Sequence, residues 1–148
     1  MIGFIIGTVV IATVIFSIIQ LSFLFAGQGA VETAAHFAAR KFAINARTDL
    51  RKAKTAALAE ASSLCRNRPG GNWESVALTN LDFAREGANS PEAAPTAGEA
   101  YSIRLTHGVE LIVPWVNRLL FVLAPVPKAR IGSKYYLFLY TTRWATVE

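Results

Sequence analysis

The first 31 residues of the chain carry no ionisable side chain, and this feature restricts the fold more than any other. The uncharged segment from Ile2 to Ala26 corresponds to about 37 Å of α-helix at about 1.5 Å per residue. Such a helix is long enough to cross a hydrocarbon core about 30 Å thick. A secretory signal peptide would instead need a basic region followed by a shorter apolar run. The sequence therefore predicts a membrane-spanning helix over residues 1–30.

Apolar residues then recur at intervals of three or four from Val31 to Leu64, which is the spacing of one narrow stripe along an α-helix. Alanine is abundant and no proline occurs before position 69, so residues 31–68 are predicted to continue the same helix as an amphipathic extension. Its weakest point, and the place for a bend, is 45–49, and the RPGG sequence at 68–71 is a strong stop. The expectation is one helix over about residues 2–66, about 90 Å long, whose stripe needs packing partners.

Residues 69–148 are predicted to form a β-rich globular head. Apolar and polar residues alternate from Tyr101 to Val113, and the segment from Tyr135 to Val147 is rich in aromatic and β-branched residues. The connection between them contains three prolines and is predicted to be a loop or a short helix, although it is mostly apolar. Residues 85–100 are expected to be a polar loop, and residues 73–83 fit either a short strand or a helical turn. The predicted fold class is α+β, with one long N-terminal helix and a small antiparallel sheet.

Residues that carry catalytic chemistry are few and scattered. Cys65 is the only cysteine, so it forms no internal disulfide and is expected to be a small buried residue at a helix end. His36 and His107 lie on different predicted elements, and His107, in mid-strand beside Gly108, fits a bulge or turn. No nucleophile arrangement, zinc motif or phosphate-binding loop is present in the sequence. We therefore expect no catalytic residues, no cofactor, no metal and no enzymatic activity.

Positive charge is concentrated between Arg40 and Arg68, where eight basic residues face two acidic ones. The simplest interpretation is a solvated helix face. The alternatives are attraction to anionic lipid head groups, charge pairing with adjacent copies of the chain, and nucleic-acid binding. The segment has no base-reading motif and few interleaved aromatic residues, so no specific nucleic acid is expected as a partner.

The charge distribution also bears on membrane orientation, because basic residues normally flank the cytoplasmic end of a span and here they only follow it. Two solutions remain open. In one, the N-terminus lies outside and the rest of the chain lies in the cytoplasm. In the other, a short basic leader preceding Met1 has been removed, as in the biosynthesis of pilins, which also combine a long helix with a β-rich head.

Residues 3–43 (GFIIGTVVIATVIFSIIQLSFLFAGQGAVETAAHFAARKFA) resemble the N-terminal region of TadE-like proteins, pilin-like subunits of the tight-adherence branch of type IV pili. Phe4 matches the early phenylalanine of the family's apolar span, and IIQL at 18–21 matches the end of that span. The segment from Gln28 to Arg40 matches the helix pattern that follows it. The segments VELIVPW and YLFLYTTRWATVE also look similar to the C-terminal half of the family. The family's acids are replaced by Gly3 and Gln20, and the fifth residue is Ile5.

The resemblance implies a structural subunit that is held in the inner membrane and then polymerises through its N-terminal helix into a surface filament. It implies copies of the same chain and the pilus assembly machinery as partners, and it leaves a major or a minor subunit equally open. The expected packing residues in the filament core are Gly3, Phe4, Gly7, Phe16, Phe23 and Phe25. Those expected to extend the stripe outward are Val31, Ala35, Ala38 and Phe42, and those expected to contact neighbouring heads are Trp115, Leu119, Leu120 and Phe121. The rival interpretation is a single-span membrane protein that never polymerises, either a minor pilin or an anchor whose basic juxtamembrane helix binds lipid or nucleic acid.

Overall fold

A computed structural model describes residues 2–68, 71–86 and 95–148 of the chain. Four helices and four strands follow one another in the order α1 (Ile2–Asn45), α2 (Leu50–Arg66), α3 (Trp73–Ala77), β1 (Thr79–Arg85), β2 (Ala100–Glu110), α4 (Val116–Leu123), β3 (Lys128–Ile131) and β4 (Lys134–Thr146). The predicted α+β class, with a long N-terminal helix and an antiparallel sheet, is confirmed. Pro69 and Gly70 of the predicted helix stop, and residues 87–94 of the predicted polar loop, lie outside the described residues.

The helix predicted over residues 2–66 is two helices, because the chain reverses direction after Asn45. The side chain of Asn45 donates to the carbonyl of Lys41 (2.7 Å), and Asp49 begins α2 by accepting a hydrogen bond from the backbone N–H of Lys52 (3.0 Å). This hydrogen bond lowers the pKa of the Asp49 carboxyl. The expected bend at 45–49 is therefore a complete turn, and α2 packs back along α1 as the second arm of a helical hairpin.

Small side chains line the inside of this hairpin. The fully buried positions of α2 are spaced four residues apart, so they lie on one face: Ala53, Ala57, Ala61 and Cys65. The facing part of α1 is equally rich in buried alanine, and Ala46 in the turn continues the series: Ala34, Ala35, Ala38, Ala39 and Ala43. Alanine on both surfaces lets the two backbones approach closely. The stripe that looked continuous in the sequence is therefore two stripes that pack against each other.

The four strands form one antiparallel sheet in the order β1-β2-β4-β3. The two predicted strands correspond to β2 and β4, which pair along the whole length of β2, from Ala100 opposite Thr146 to Glu110 opposite Tyr136. The ambiguous segment at 73–83 contains both a short helix, α3, and most of an edge strand, β1. The proline-containing connection contains α4 and the second edge strand, β3.

The helical hairpin packs against the face of the sheet to which the odd-numbered residues of β2 point. Phe42 of α1 is fully buried there, with its ring 4.8 Å from that of Phe83 and 5.0 Å from that of Tyr101. The predicted apolar face of β2 is buried as expected. His107 shares this face within β2, as its predicted strand position indicated, but the pairing of β2 with β1 and β4 is continuous there, so the suggested bulge or turn is absent.

Candidate functional site

The N-terminal part of α1 differs from the rest of the molecule because the chain leaves it largely uncovered. No residue from Gly3 to Ile19 is buried, and the large apolar side chains of this segment are 42–80% exposed. Gln20 is the first buried residue. We call residues 3–19 the arm and the remainder of the described chain the body. Among the described residues, α1 is the one helix long and apolar enough to cross a membrane, with a mean hydropathy of 2.5 over its best 18-residue window.

The polar side chains of the arm are satisfied by the helix itself. The hydroxyl groups of Thr8, Thr13 and Ser17 each donate to the carbonyl four residues earlier, at 2.8–2.9 Å. These hydrogen bonds need no water and no partner helix. The arm therefore meets the requirement that polar groups within a hydrocarbon layer be satisfied internally.

Gln20 marks the point at which α1 enters the body. Its amide is fully buried, and its Oε1 accepts a hydrogen bond from the backbone N–H of Val113 (2.9 Å), which follows β2. Its Nε2 has no hydrogen-bond partner among the described residues. Gln20, which stands where TadE-like proteins have an acid, thus forms its hydrogen bond within the body of the same chain.

The residues predicted to pack in a filament core lie on the arm or just above it. Gly3, Phe4 and Phe16 are exposed, Phe25 is 75% exposed, and Gly7 and Phe23 are partly covered. A Cβ atom added at Gly3 or Gly7 would meet no atom within 4 Å. Their close-packing role remains a prediction, since the single chain places nothing against them.

The residues predicted to extend the stripe outward are all buried inside the chain. Val31, Ala35, Ala38 and Phe42 are 0% exposed, so they cannot contact a neighbouring subunit. This corrects the expectation that the stripe needs partners from outside. The physical reason is the turn at 45–49, which returns α2 to α1.

A second group of uncovered apolar side chains lies at the end of the body next to the arm. We call this group the apolar end, and it consists of Trp73, Ile112, Trp115, Leu119, Val122, Leu123 and Ile131. Helix α4 holds its place there through buried Val116 and through Phe121, whose ring lies 5.0 Å from that of Tyr135. Of the residues predicted to contact neighbouring heads, Trp115 and Leu119 are exposed, whereas Leu120 and Phe121 are partly covered.

Trp115 is presented by a strained backbone. It has φ 70° and ψ −52°, and the N–H of Val116 donates to the carbonyl of Pro114 (2.8 Å) to close a three-residue γ-turn. This turn is rare for a residue with a side chain and costs about 1–3 kcal/mol. The side chain it presents is 88% exposed. Strain that serves no internal contact is typical of residues with a role outside the fold.

The body also contains a buried polar group between the hairpin and the sheet. The Thr79 hydroxyl donates to the Ser75 carbonyl (3.0 Å) and contacts Nδ1 of His107 at 2.8 Å. The hydroxyl proton is used, so Nδ1–H is the donor in the second contact. Burial, reinforced by the nearby positive charge of Arg68, lowers the pKa of His107 to about 4. The imidazole is therefore neutral at ordinary pH.

Cys65 is fully buried at the end of α2, as predicted, and burial raises the pKa of its thiol to about 11. The described residues include no group of three or more His, Cys, Asp or Glu side chains able to hold a metal ion.

Most of the basic segment does not lie beside the arm. Arg40 follows Gln20 by 20 residues, or about 30 Å along the axis of α1, and the charges continue around the turn at 45–49 to Lys54. These six basic residues lie at the end of the body opposite the apolar end. Helix α2 then returns Arg66 and Arg68 toward the arm, and a guanidinium nitrogen of Arg68 lies 3.5 Å from the Cβ position of Gly27. A membrane around the arm is therefore far from most of the predicted juxtamembrane basic helix and near its last two charges.

Sequence reasoning placed a bend at 45–49 but missed three features that shape this site: the full reversal of the chain at that bend, the buried contact of Gln20 and the strained turn at Trp115. Asn45 and Asp49 were the available signal for the turn, since both residue types end and begin helices through side-chain hydrogen bonds. Gln20 was the only amide in a long apolar run, which was a signal of a specific partner. The positive φ of Trp115 had no sequence signal, because glycine or asparagine is the usual residue at such positions.

Comparison of the chain with protein-family models, with curated proteins and with solved structures found no match.

Proposed function

We propose that the chain is a pilin-like structural subunit of a type IV-family, Tad-type surface filament, with a role in assembly rather than catalysis. The observation that carries this proposal is the division of α1 at Gln20 into an arm with no buried residue and a segment whose inner face is buried in the body. A helix that is apolar all round belongs either in a membrane or inside a larger assembly. A subunit that passes from the inner membrane into a filament at the cell surface uses the same arm in both places.

Two further features support this function. The arm continues without interruption into the body and Gln20 is bonded to Val113, so the apolar segment is integrated with the folded domain rather than attached to it as a separable signal sequence. The residue pattern over 3–43 resembles TadE-like proteins. The arm carries no acid, so subunit register in the proposed filament is set by packing of apolar side chains and not by a buried ion pair.

The proposal is tested by shearing cells that produce the chain and probing the filament fraction for it. Gly3→Leu is expected to lower filament yield, because leucine removes the close approach that Gly3 permits. Gly29→Leu is the matched control, since Gly29 is also an open, exposed position of α1 but lies above the arm. Equal filament yields for the two variants would remove the close-packing role of Gly3. Confinement of the native chain to the inner-membrane fraction would exclude the filament.

A single-span membrane protein that does not polymerise is the second candidate, and one observation favours it. The stripe over 31–64 finds its partners inside the chain, so the body does not require neighbours to cover its helices. This candidate predicts an inner-membrane protein that stays monomeric in detergent and in lipid. Cross-linking of intact cells distinguishes it, since only a filament subunit gives a ladder of oligomers.

A further inference from the structure

The apolar end of the body lies alongside the candidate membrane span. A helical span requires about 20 residues, and the uncharged run of α1 that supplies them continues past Gln20 to Val31, well into the body. The body also extends down along the arm, because Trp115 and Val116 form one cleft with four arm residues between Val9 and Phe16. If the arm crosses the hydrocarbon layer, the apolar end of the body therefore lies at the depth of one leaflet.

The side chains of the apolar end suit that depth. Helix α4 leaves Leu119, Val122 and Leu123 51–74% exposed, and no described residue covers them. Two tryptophans, Trp73 and Trp115, lie at the same end, and tryptophan is enriched where membranes meet water. Exposed apolar side chains that continue from a candidate membrane span are readily explained by contact with the same lipid.

Charge along the segment from Leu111 to Ser133 is of one sign, whereas Glu74 and Glu110 at the same end are paired with Lys134. The segment from Leu111 to Ser133 contains three basic residues, Arg118, Lys128 and Arg130, and no acidic residue. None of the three forms an ion pair with a described carboxylate. Lys128 instead donates to the carbonyls of Val122 and Ala124 at the end of α4, and Arg130 Nε donates to the carbonyl of Gly132. Long basic side chains of this kind extend from an apolar layer to its anionic head groups.

Trp115 separates two clefts of opposite character. The cleft toward the arm has a volume of about 240 Å³ and is lined by Val9, Ala12, Thr13, Phe16, Trp115 and Val116. The cleft on the other side has a volume of about 430 Å³, and Trp115 lines it together with Arg118, Arg130, Ser133 and Tyr135. An apolar cleft and a basic, hydroxyl-bearing cleft that share one wall match the acyl chain and the phosphate of one lipid molecule.

From the depth, the exposed side chains, the charge and the two clefts, we infer that the end of the body around Trp115 is immersed in one leaflet and binds an anionic phospholipid. An acyl chain occupies the cleft between Trp115 and the arm, and the head-group phosphate lies beside Arg118 and Arg130. The inference rests on the membrane residence of the proposed subunit, but it does not require polymerisation. A second copy of the chain is the rival occupant, and the depth of the clefts favours lipid because a membrane around the arm reaches them first.

The first experiment measures whether Trp115 contacts lipid. The full chain carrying Trp73→Phe and Trp144→Phe keeps Trp115 as its single tryptophan and is reconstituted in phosphatidylcholine vesicles with added phosphatidylglycerol. Lipid brominated on its acyl chains is expected to quench the Trp115 emission strongly. The matched reporter keeps Trp144, which is 64% exposed near the end of β4 remote from the arm, and it is expected to stay unquenched. Equal quenching of the two reporters, or none at Trp115, overturns the inference.

The second experiment measures head-group selectivity by native mass spectrometry of the full chain in micelles with equal amounts of phosphatidylglycerol and phosphatidylcholine. Arg118→Gln and Arg130→Gln are each expected to lower the preference for phosphatidylglycerol roughly five-fold, the effect of removing one basic group from an anionic surface. The control carries Arg104→Gln and Arg143→Gln, which neutralise two exposed arginines on β2 and β4 and leave the preference unchanged. Equal losses in control and test variants mean that net charge alone attracts the lipid, which overturns the site.

The outcomes separate this inference from the proposed function. Quenching of Trp115 and loss of selectivity in the arginine variants support the lipid site whether or not filaments form. Cross-linking of Trp115 to another copy in the vesicles, with no quenching by brominated lipid, assigns the surface to a second subunit and overturns the lipid site while leaving the filament intact. Absence of filaments from cells with both lipid results positive overturns only the filament.

Discussion

The arm and the buried part of α1 carry opposite kinds of apolar side chain. The arm is built mainly from isoleucine, valine and phenylalanine, and these large side chains are exposed. Above Gln20 the buried side chains of α1 are mainly alanine, together with Val31 and Phe42, and they pack against α2 and the sheet. A globular protein ordinarily buries its large apolar residues first. In this chain the usual relation between side-chain size and burial is therefore reversed. Alanine lies where two helices approach closely within the chain, and the large side chains lie where the chain itself provides little to pack against.

The largest expected effect compares one phenylalanine from each part. Phe42→Ala is expected to lower the free energy of unfolding by about 3–5 kcal/mol, because it empties a fully buried site between Phe83 and Tyr101. Phe4→Ala removes the same atoms from a side chain that is 80% exposed and is expected to leave that free energy unchanged. Urea unfolding of the purified chain in detergent micelles, followed by near-ultraviolet circular dichroism, measures both. Similar losses for the two variants would show that the arm packs against the body.

The next largest effect is the pH dependence of the free energy of unfolding, which depends on His107 in the interior of the body. His107 has a pKa of about 4 in the folded chain and about 6.5 when unfolded, so between these values only the unfolded chain binds the extra proton. Stability is therefore full above pH 6.5, falls as the pH is lowered and levels off below pH 4. The expected loss between about pH 7 and pH 5 is about 2 kcal/mol. His107→Gln is expected to reduce this dependence, measured as urea midpoints at the two pH values.

The arm cannot contribute to this pH dependence of stability, because it contains no ionisable side chain. The Glu74 and Glu99 carboxyls have lowered pKa values, through hydrogen bonds from Lys134 and Thr96 respectively, and so they titrate below the chosen window. A variant with glutamine at position 107 that kept the full pH dependence would show that another group, and not the buried imidazole, is responsible.

The two parts of α1 also differ in how well the sequence predicted them. The arm followed from the absence of charge, and strands β2 and β4 followed from alternation and β-branched residues. The hairpin did not, because the alanine stripes of α1 and α2 keep the same three- and four-residue spacing across the turn. Periodicity shows that one face of a helix is apolar, but it does not show whether the partner of that face belongs to the same chain. For that reason Val31, Ala35, Ala38 and Phe42 were predicted to pack outward and are instead buried inside the chain.

The strained turn at Trp115 is expected to give a smaller change in the free energy of unfolding, and here one substitution is expected to be more stable than the other because it relieves strain. Trp115→Gly is expected to be about 1 kcal/mol more stable than Trp115→Ala, because glycine adopts a positive φ without strain and loses only part of that gain to backbone entropy. Both variants lack the indole, so any contact of Trp115 with detergent cancels in the comparison. Urea midpoints in micelles measure the difference. Equal stability of the two variants would show that the turn is not strained.

The smallest effect lies at the boundary itself. Gln20→Leu removes the acceptor of the Val113 N–H, which costs about 1–3 kcal/mol, but it also removes the buried Nε2 that has no partner among the described residues. The two changes oppose each other, and the net loss of stability is expected to stay below about 1 kcal/mol. The sharper measurement is hydrogen exchange of the Val113 amide, which is expected to become faster in this variant.

Gln28→Leu is the matched control, because Gln28 lies on the same helix and its Nε2 bonds only to the exposed Glu32 carboxylate (3.1 Å). Replacing it is expected to leave exchange at Val113 unchanged. If Gln20→Leu also left that exchange unchanged, the amide of Gln20 would not be what joins the end of β2 to α1, and the boundary between arm and body would rest on the apolar contacts around it. If exchange accelerates only in Gln20→Leu, a single side-chain hydrogen bond fixes where α1 stops being part of the body and becomes the arm.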